Sequence, residues 1–212
     1  LFASLHQDRL RSDAARLDVM TTEAETSIRQ RLTLFEDVLR GGVGLLSATE
    51  HVTRTAWQAY AKALRLSERY PGVLGIGVIF PVRAEDLERF LAGTRADGAP
   101  DFMIRAASDS HGPPAAGPGE RFVITYVEPS ATNRPALGLD IAAEASRRIA
   151  AEMSRDTGEP RLTGRITLVQ DAQRRAGSLL LMPIYRADAP LETIAERRAA
   201  FVAWIYSPLV TG

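Results

Sequence analysis

LTGRITLVQ (Leu162–Gln170), SLLLMPIYR (Ser178–Arg186) and FVAWIYSPL (Phe201–Leu209) follow one another near the end of the chain. Each is a run of aliphatic, β-branched and aromatic residues, the composition of a buried strand. Strands clustered late and joined by short links predict an antiparallel sheet with helices on one side. Upstream, VLGIGVIF (Val73–Phe80), FMIRAA (Phe102–Ala107) and RFVITYVEP (Arg121–Pro129) read as further strands. RAEDLERFLAG (Arg83–Gly93) is a short amphipathic helix. A second helix covers Ile141–Asp156, with Ile141, Ala145, Ile149 and Met153 on one stripe and Gly158 as its stop. Ser108–Glu120, with Gly and Pro at 112–114 and 117–119, is a loop. The sum is an α+β fold.

The first 48 residues read as one long helix. Leu10, Ala14, Leu17, Thr21, Ala24 and Ile28, then Phe35, Val38 and Leu45, recur at steps close to a heptad seam, interrupted at Arg31. Such a helix serves either as a dimer stalk or as a cover for its own domain. A further helix from about Thr53 to Glu68 carries Trp57, Tyr60, Ala61 and Leu64 on one face. The expected division is a stalk over residues 1–50 and a sheet domain over 51–209.

Composition narrows the function. The chain has 212 residues, 26 basic and 26 acidic, split evenly with 13 of each before and after residue 100. That balance lacks the electrostatic footprint of a nucleic-acid binder. A hydrophobic share of 45% is that of a globular protein. With no cysteine there are no disulfides, thiolate metal sites or cysteine nucleophiles. Arginine outnumbers lysine 25 to 1, the mark of a GC-rich, bacterial genome. The sequence opens on Leu1 and contains no apolar run long enough for a membrane span, so it reads as an excised segment whose spans would lie outside it.

Catalytic and cofactor motifs are missing. His6, His51 and His111 have no partners at metal-ligand spacing. SDSHG (Ser108–Gly112) is too local for a triad, and no G-x-S-x-G elbow occurs. GGVGLLSATE (Gly41–Glu50) lacks the Lys of a phosphate loop, and its glycines read as a close helix contact or a break. The glycines of GVLGIGV are in the wrong order for a dinucleotide loop and read as close strand packing. Asp140, which ends ALGLD just before the Ile141 helix, is either an N-cap or a carboxylate at the mouth of an apolar pocket.

Six strings taken together, RYPGVLGIGVIFPV (Arg69–Val82), RFVITYVEP (Arg121–Pro129), ALGLD (Ala136–Asp140), DTGEPRLTGRITLVQ (Asp156–Gln170), GSLLLMPIYR (Gly177–Arg186) and FVAWIYSPL (Phe201–Leu209), resemble in order and spacing a CHASE domain. This is the extracytoplasmic sensor module of cytokinin receptors and of many bacterial transmembrane receptors. The resemblance covers roughly residues 53–209, with the first helix in the place of the family's stalk. It implies a long helix leading to PAS-like sheets, the membrane-distal one holding ligand and the membrane-proximal one incomplete in this stretch. In the plant cytokinin receptors an Asp side chain and a Leu main chain read the adenine ring. By string position these are Asp140 and Leu162, with Thr163 following. The resemblance thus favours a ligand contact at Asp140. Phe122, Ile124, Tyr126, Leu181 and Pro183 are candidate walls of a flat slot, and Met182 stands where the plant pattern has an aromatic.

The expectation is therefore a periplasmic sensor domain of a bacterial inner-membrane receptor, most simply a histidine kinase of a two-component system. It would bind an adenine-type, cytokinin-like molecule and signal through a homodimer of stalk helices, with no catalytic residue, metal or cofactor of its own. The alternative is a CHASE-type interaction module with a different small ligand or none, in a cyclic-di-GMP-type receptor.

Overall fold

The computed structural model describes residues 2–49, 52–106, 119–169 and 175–210, with side chains from Arg16 onward. The SDSHG string, His51, His111, Gln170 and the side chains of His6, Leu10 and Ala14 lie outside the described residues. The chain divides into two compact units, 1–37 and 38–212. Helix α1 runs over Phe2–Ala48, so the long helix expected at the start is present. None of the described helices is long and apolar enough to cross a membrane.

In the second unit the last turns of α1 are followed by α2 (Arg54–Leu64) and the single turn α3 (Leu66–Arg69). Arg65, left-handed at φ 52, separates α2 from α3 where one helix over Thr53–Glu68 is expected. Thr53 caps α2 by accepting from the Ala56 amide at 3.2 Å. Next come β1 (Ile76–Val82), α4 (Leu87–Ala96), β2 (Arg105–Ala106) and β3 (Arg121–Glu128). The turn α5 (Ser130–Asn133) and β4 (Leu139–Asp140) lead into α6 (Ala145–Thr157). The chain then forms β5 (Arg161–Leu162), β6 (Ile166–Thr167), β7 (Ala176–Tyr185), α7 (Ile194–Ala200) and β8 (Phe201–Val210).

All eight strands join one sheet in the order β2–β4–β3–β1–β8–β7–β5, with β6 also on β7. Every pairing is antiparallel except β2 with β4. The α+β class and the largely antiparallel sheet agree with the sequence. LTGRITLVQ departs from it, because Thr163–Arg165 interrupt the expected strand and leave two short ones.

Helices cover both faces of this sheet, not one. On β8, Trp204 donates from Nε1 to the Ala151 carbonyl of α6 at 2.9 Å. The next residue, Ile205, points the opposite way, toward Gly42 of α1, where a Cβ would come within 2.1 Å of Ile205 Cδ1. Gly42 thus marks a close helix contact, and α1 continues through it without a break. Trp57 of α2 packs on that same face, its ring 6.4 Å from that of Tyr126. On the other face α6 seats Ala150, Ala151 and Ser154, while Ile149 and Met153 are 56% and 47% exposed. Of the expected stripe, Ile149 and Met153 therefore face out, whereas Ile141, in the turn before α6, is buried. Small residues let the helix approach the bulky Trp204 and Phe122 rings, which an Ile–Met stripe would hold away.

Helix α7 has no counterpart in the sequence reading, although its capping box, Thr193 with Glu196, is visible as T-x-x-E. It is tied to α6 by Asp156, which accepts from Arg198 Nη2 and Nε at 2.5 and 2.9 Å and from Arg155 Nε at 3.1 Å. These bonds, chiefly those to Arg198, hold the Asp156 pKa below its usual value. An unfolded aspartate titrates near ~3.9. The Asp156 contribution is therefore complete above that pH and is lost as pH falls through the lower folded pKa. Acid titration of unfolding stability should show a decline below about pH 4 that Asp156→Asn makes shallower. Gly42→Leu should destabilise the domain by about 1–3 kcal/mol through overpacking against Ile205 and Trp57, read by urea unfolding.

Candidate functional site

Asp140 lies on β4 between β2 and β3, opposite Ala106 on one side and Val123 on the other. Its Oδ1 accepts from the Phe122 amide at 2.9 Å and from the Ala142 amide at 3.0 Å. The second bond caps the 3-10 turn Ile141–Ala143 that precedes α6. Oδ2 takes no hydrogen bond from any described residue. The capping role that the sequence allows is thus met by one oxygen, Oδ1, which joins β3 to the turn before α6.

The carboxylate lies on the wall of a cavity of about 390 Å³, in the range of small-molecule sites. Leu87 and Leu91 of α4 form one side, and Met103, Ile104 and Ala106 before and on β2 form another. Leu87 and Leu91 are one helical turn apart, so both project to the same side of α4. Arg95 and Arg121 complete the lining. Arg95 is anchored by its Nε, which donates to the Phe102 carbonyl at 3.2 Å. The arrangement offers a flat molecule apolar contacts, one carboxylate acceptor and two cationic donors. The sequence signal for it is the short amphipathic helix RAEDLERFLAG, which carries Leu87 and Leu91.

The other expected site residues are not gathered around Asp140. Phe122, Ile124 and Leu181 are buried on the α6 face with Trp204 and Tyr206. Phe122 packs its ring 4.6 Å from that of Trp204 and lies under the Arg148 guanidinium at 5.0 Å. Pro183 pairs with Trp204 and so shares that face. Tyr126 and Met182, opposite Val78 and Ile205, belong to the other face. The Tyr126 hydroxyl donates to Asp97 Oδ2 at 2.8 Å. Leu162 is 42% exposed and pairs with Leu180, on a strand separated from β4 by β7, β8, β1 and β3. Thr163 is buried; its Oγ1 accepts from the Leu179 amide at 2.9 Å and donates to the Gly164 carbonyl at 3.0 Å.

Among the described residues, no group of three or more His, Asp or Glu side chains is placed to hold a metal ion. No curated protein matches the chain. The CHASE domain family model matches residues 50–212, a span that contains every strand of the sheet. CHASE domains are sensory rather than catalytic modules. The match extends over well more than half of the sequence, and the chain belongs to the CHASE domain family, the extracellular ligand-sensing domains of membrane receptors.

Proposed function

We propose that this domain senses a small adenine-type, cytokinin-like molecule in the cavity beside Asp140. The observation that carries this reading is Asp140, whose Oδ2 takes no hydrogen bond among the described residues, on the wall of a largely apolar cavity. A purine presents N–H donors on the edge of a flat ring. The carboxylate accepts from that edge while Leu87, Leu91 and Met103 cover the ring faces. The resemblance also puts the Leu162 main chain and Thr163 against the ligand. Four strands separate them from Asp140, too far for one small molecule to span, so the proposed site reads the adenine edge at the carboxylate without them.

The same reading makes α1 the transmitting element of a bacterial inner-membrane receptor with its sensor in the periplasm and a histidine kinase as output. Leu17, Met20 and Ile28 are 65%, 56% and 58% exposed among the polar residues of the first half of α1. Thr21 does not spoil the seam, because its hydroxyl is satisfied by the Leu17 carbonyl one turn back at 2.8 Å. A second copy of α1 would cover these side chains as a helical pair. Ligand binding then shifts the balance between two packings of that pair.

Calorimetry with N6-isopentenyladenine should give saturable binding that Asp140→Ala weakens by about 1–3 kcal/mol. Absence of binding by any adenine-type molecule would favour the interaction module without such a ligand. Leu17→Glu combined with Ile28→Glu should raise the dimer dissociation constant by about tenfold or more in sedimentation equilibrium. An unchanged mass distribution would remove α1 from the interface.

A further inference from the structure

The cavity beside Asp140 holds more positive charge than its one carboxylate offsets. Leu87, Leu91 and Arg95 follow one another at four-residue steps on α4, so the arginine continues the apolar stripe that covers the cavity. Arg121 opens β3. It stands two residues before Val123, and alternation sends both side chains to one face of the sheet. Val123 lies opposite Asp140 in the ladder and packs where Leu87 and Leu91 pack. Arg95, Arg121 and Asp140 thus converge on the same space from α4, β3 and β4.

Neighbouring charges are already engaged. Arg105 Nη2 donates to the Pro135 and Leu137 carbonyls, each at 2.8 Å. Glu120 faces Arg83 at 3.8 Å and Arg155 at 3.4 Å. Asp86 pairs with Arg89 at 2.5 Å. The two cavity arginines differ from these. Arg95 uses Nε on the Phe102 carbonyl and leaves both Nη atoms without a hydrogen bond among the described residues. The Arg121 guanidinium makes no hydrogen bond or ion pair with Asp140 or with any other described residue. Two guanidinium groups therefore face one carboxylate, whose Oδ1 is held by the Phe122 and Ala142 amides.

An uncharged guest would cover both guanidinium groups and displace their water with nothing in return. An oxyanion in the same place meets two planar forks, each able to hold it through paired N–H donors. A phosphate monoester carries about −1.5 to −2 charges near neutral pH, which matches the two cations. We infer that Arg95 and Arg121 form the anion-binding half of this cavity and take a phosphate monoester carried by the sensed molecule. On the adenine reading of Asp140, on which the identity of the other half rests, that molecule is a purine nucleoside monophosphate. Its base edge donates to Asp140, and its phosphate lies between α4 and the start of β3. The two arginines are then specificity-determining residues, favouring the phosphorylated form over the free base and drawing it in from solution.

Calorimetry of the whole chain with N6-isopentenyladenosine 5′-monophosphate, the uncharged riboside and N6-isopentenyladenine tests this assignment. The monophosphate should bind about tenfold or more tighter than the riboside, and the excess should shrink as ionic strength rises. Arg95→Gln and Arg121→Gln should each bring the ratio of the two affinities toward one. Arg89→Gln, outside the cavity, should leave the ratio as it is. A riboside that binds as tightly as the monophosphate overturns the inference and leaves the adenine reading standing, as does a ratio that neither cavity variant changes. Inorganic phosphate probes the anion half without a base: at millimolar concentration it should raise the Tm of the wild type more than that of either cavity variant. If none of the three purines binds, the adenine reading fails, and this phosphate difference alone decides for the arginine pair. An equal phosphate shift in wild type and both variants then overturns the inference as well.

Discussion

Strand β8 is buried on both faces, and the second unit is organised around that fact. Its neighbours β1 and β7 satisfy its backbone, so its side chains alternate into two separate interiors. Trp204 and Tyr206 meet α6, and Ile205 meets the last turns of α1. A single strand thereby sets the seating of both helical layers. A shift of one residue along β7 would exchange these faces and place Ile205 where Trp204 bonds the Ala151 carbonyl. The long β7–β8 pairing holds that register over nearly its whole length, with one irregularity between Ile184 and Tyr185. The placement of Gly42, Trp57 and Ala151 follows from it.

The strands that carry the fold were legible because their composition is local information. GSLLLMPIYR and FVAWIYSPL are buried on both sides, and continuous apolar runs say so. What periodicity could not supply was the choice between competing faces. On α6 the stripe with the larger hydrocarbon area, Ile149 and Met153, lost to Ala150, Ala151 and Ser154. The sheet opposite already carries a large indole, Trp204, and a phenyl ring, Phe122, and close packing requires small partners there. The same limit applies to the candidate slot. Phe122 and Met182 have similar claims from sequence, yet strand alternation sends them to opposite sides of the sheet. Alternation can be read within one strand, but its sense relative to a neighbour depends on registers that no local string contains.

Asp140 shows how much structural duty a single capping carboxylate can carry. The residue is required where β4 gives way to the Ile141–Ala143 turn, because the Ala142 amide there needs an acceptor. One oxygen meets that need and also takes the Phe122 amide from β3. A carboxylate has a second oxygen, and fixing the first also fixes the direction of the second. Rigidity of the Asp140 side chain is thus a by-product of its structural duty. Arg95 is treated alike: its bond to the Phe102 carbonyl restrains the side chain on the wall of the same cavity.

The ends of the sheet differ from its middle. Strands β7 and β8 run ten residues each, whereas β2, β4, β5 and β6 run two. An apolar ten-residue strand is a template for runaway strand addition when its edge is bare. Here the segment SLLLMPIY is kept inside, and the strands outside it are too brief to align a foreign chain. Stunted flanks of this kind guard the two long apolar strands against amyloid-like joining of sheets from one molecule to the next.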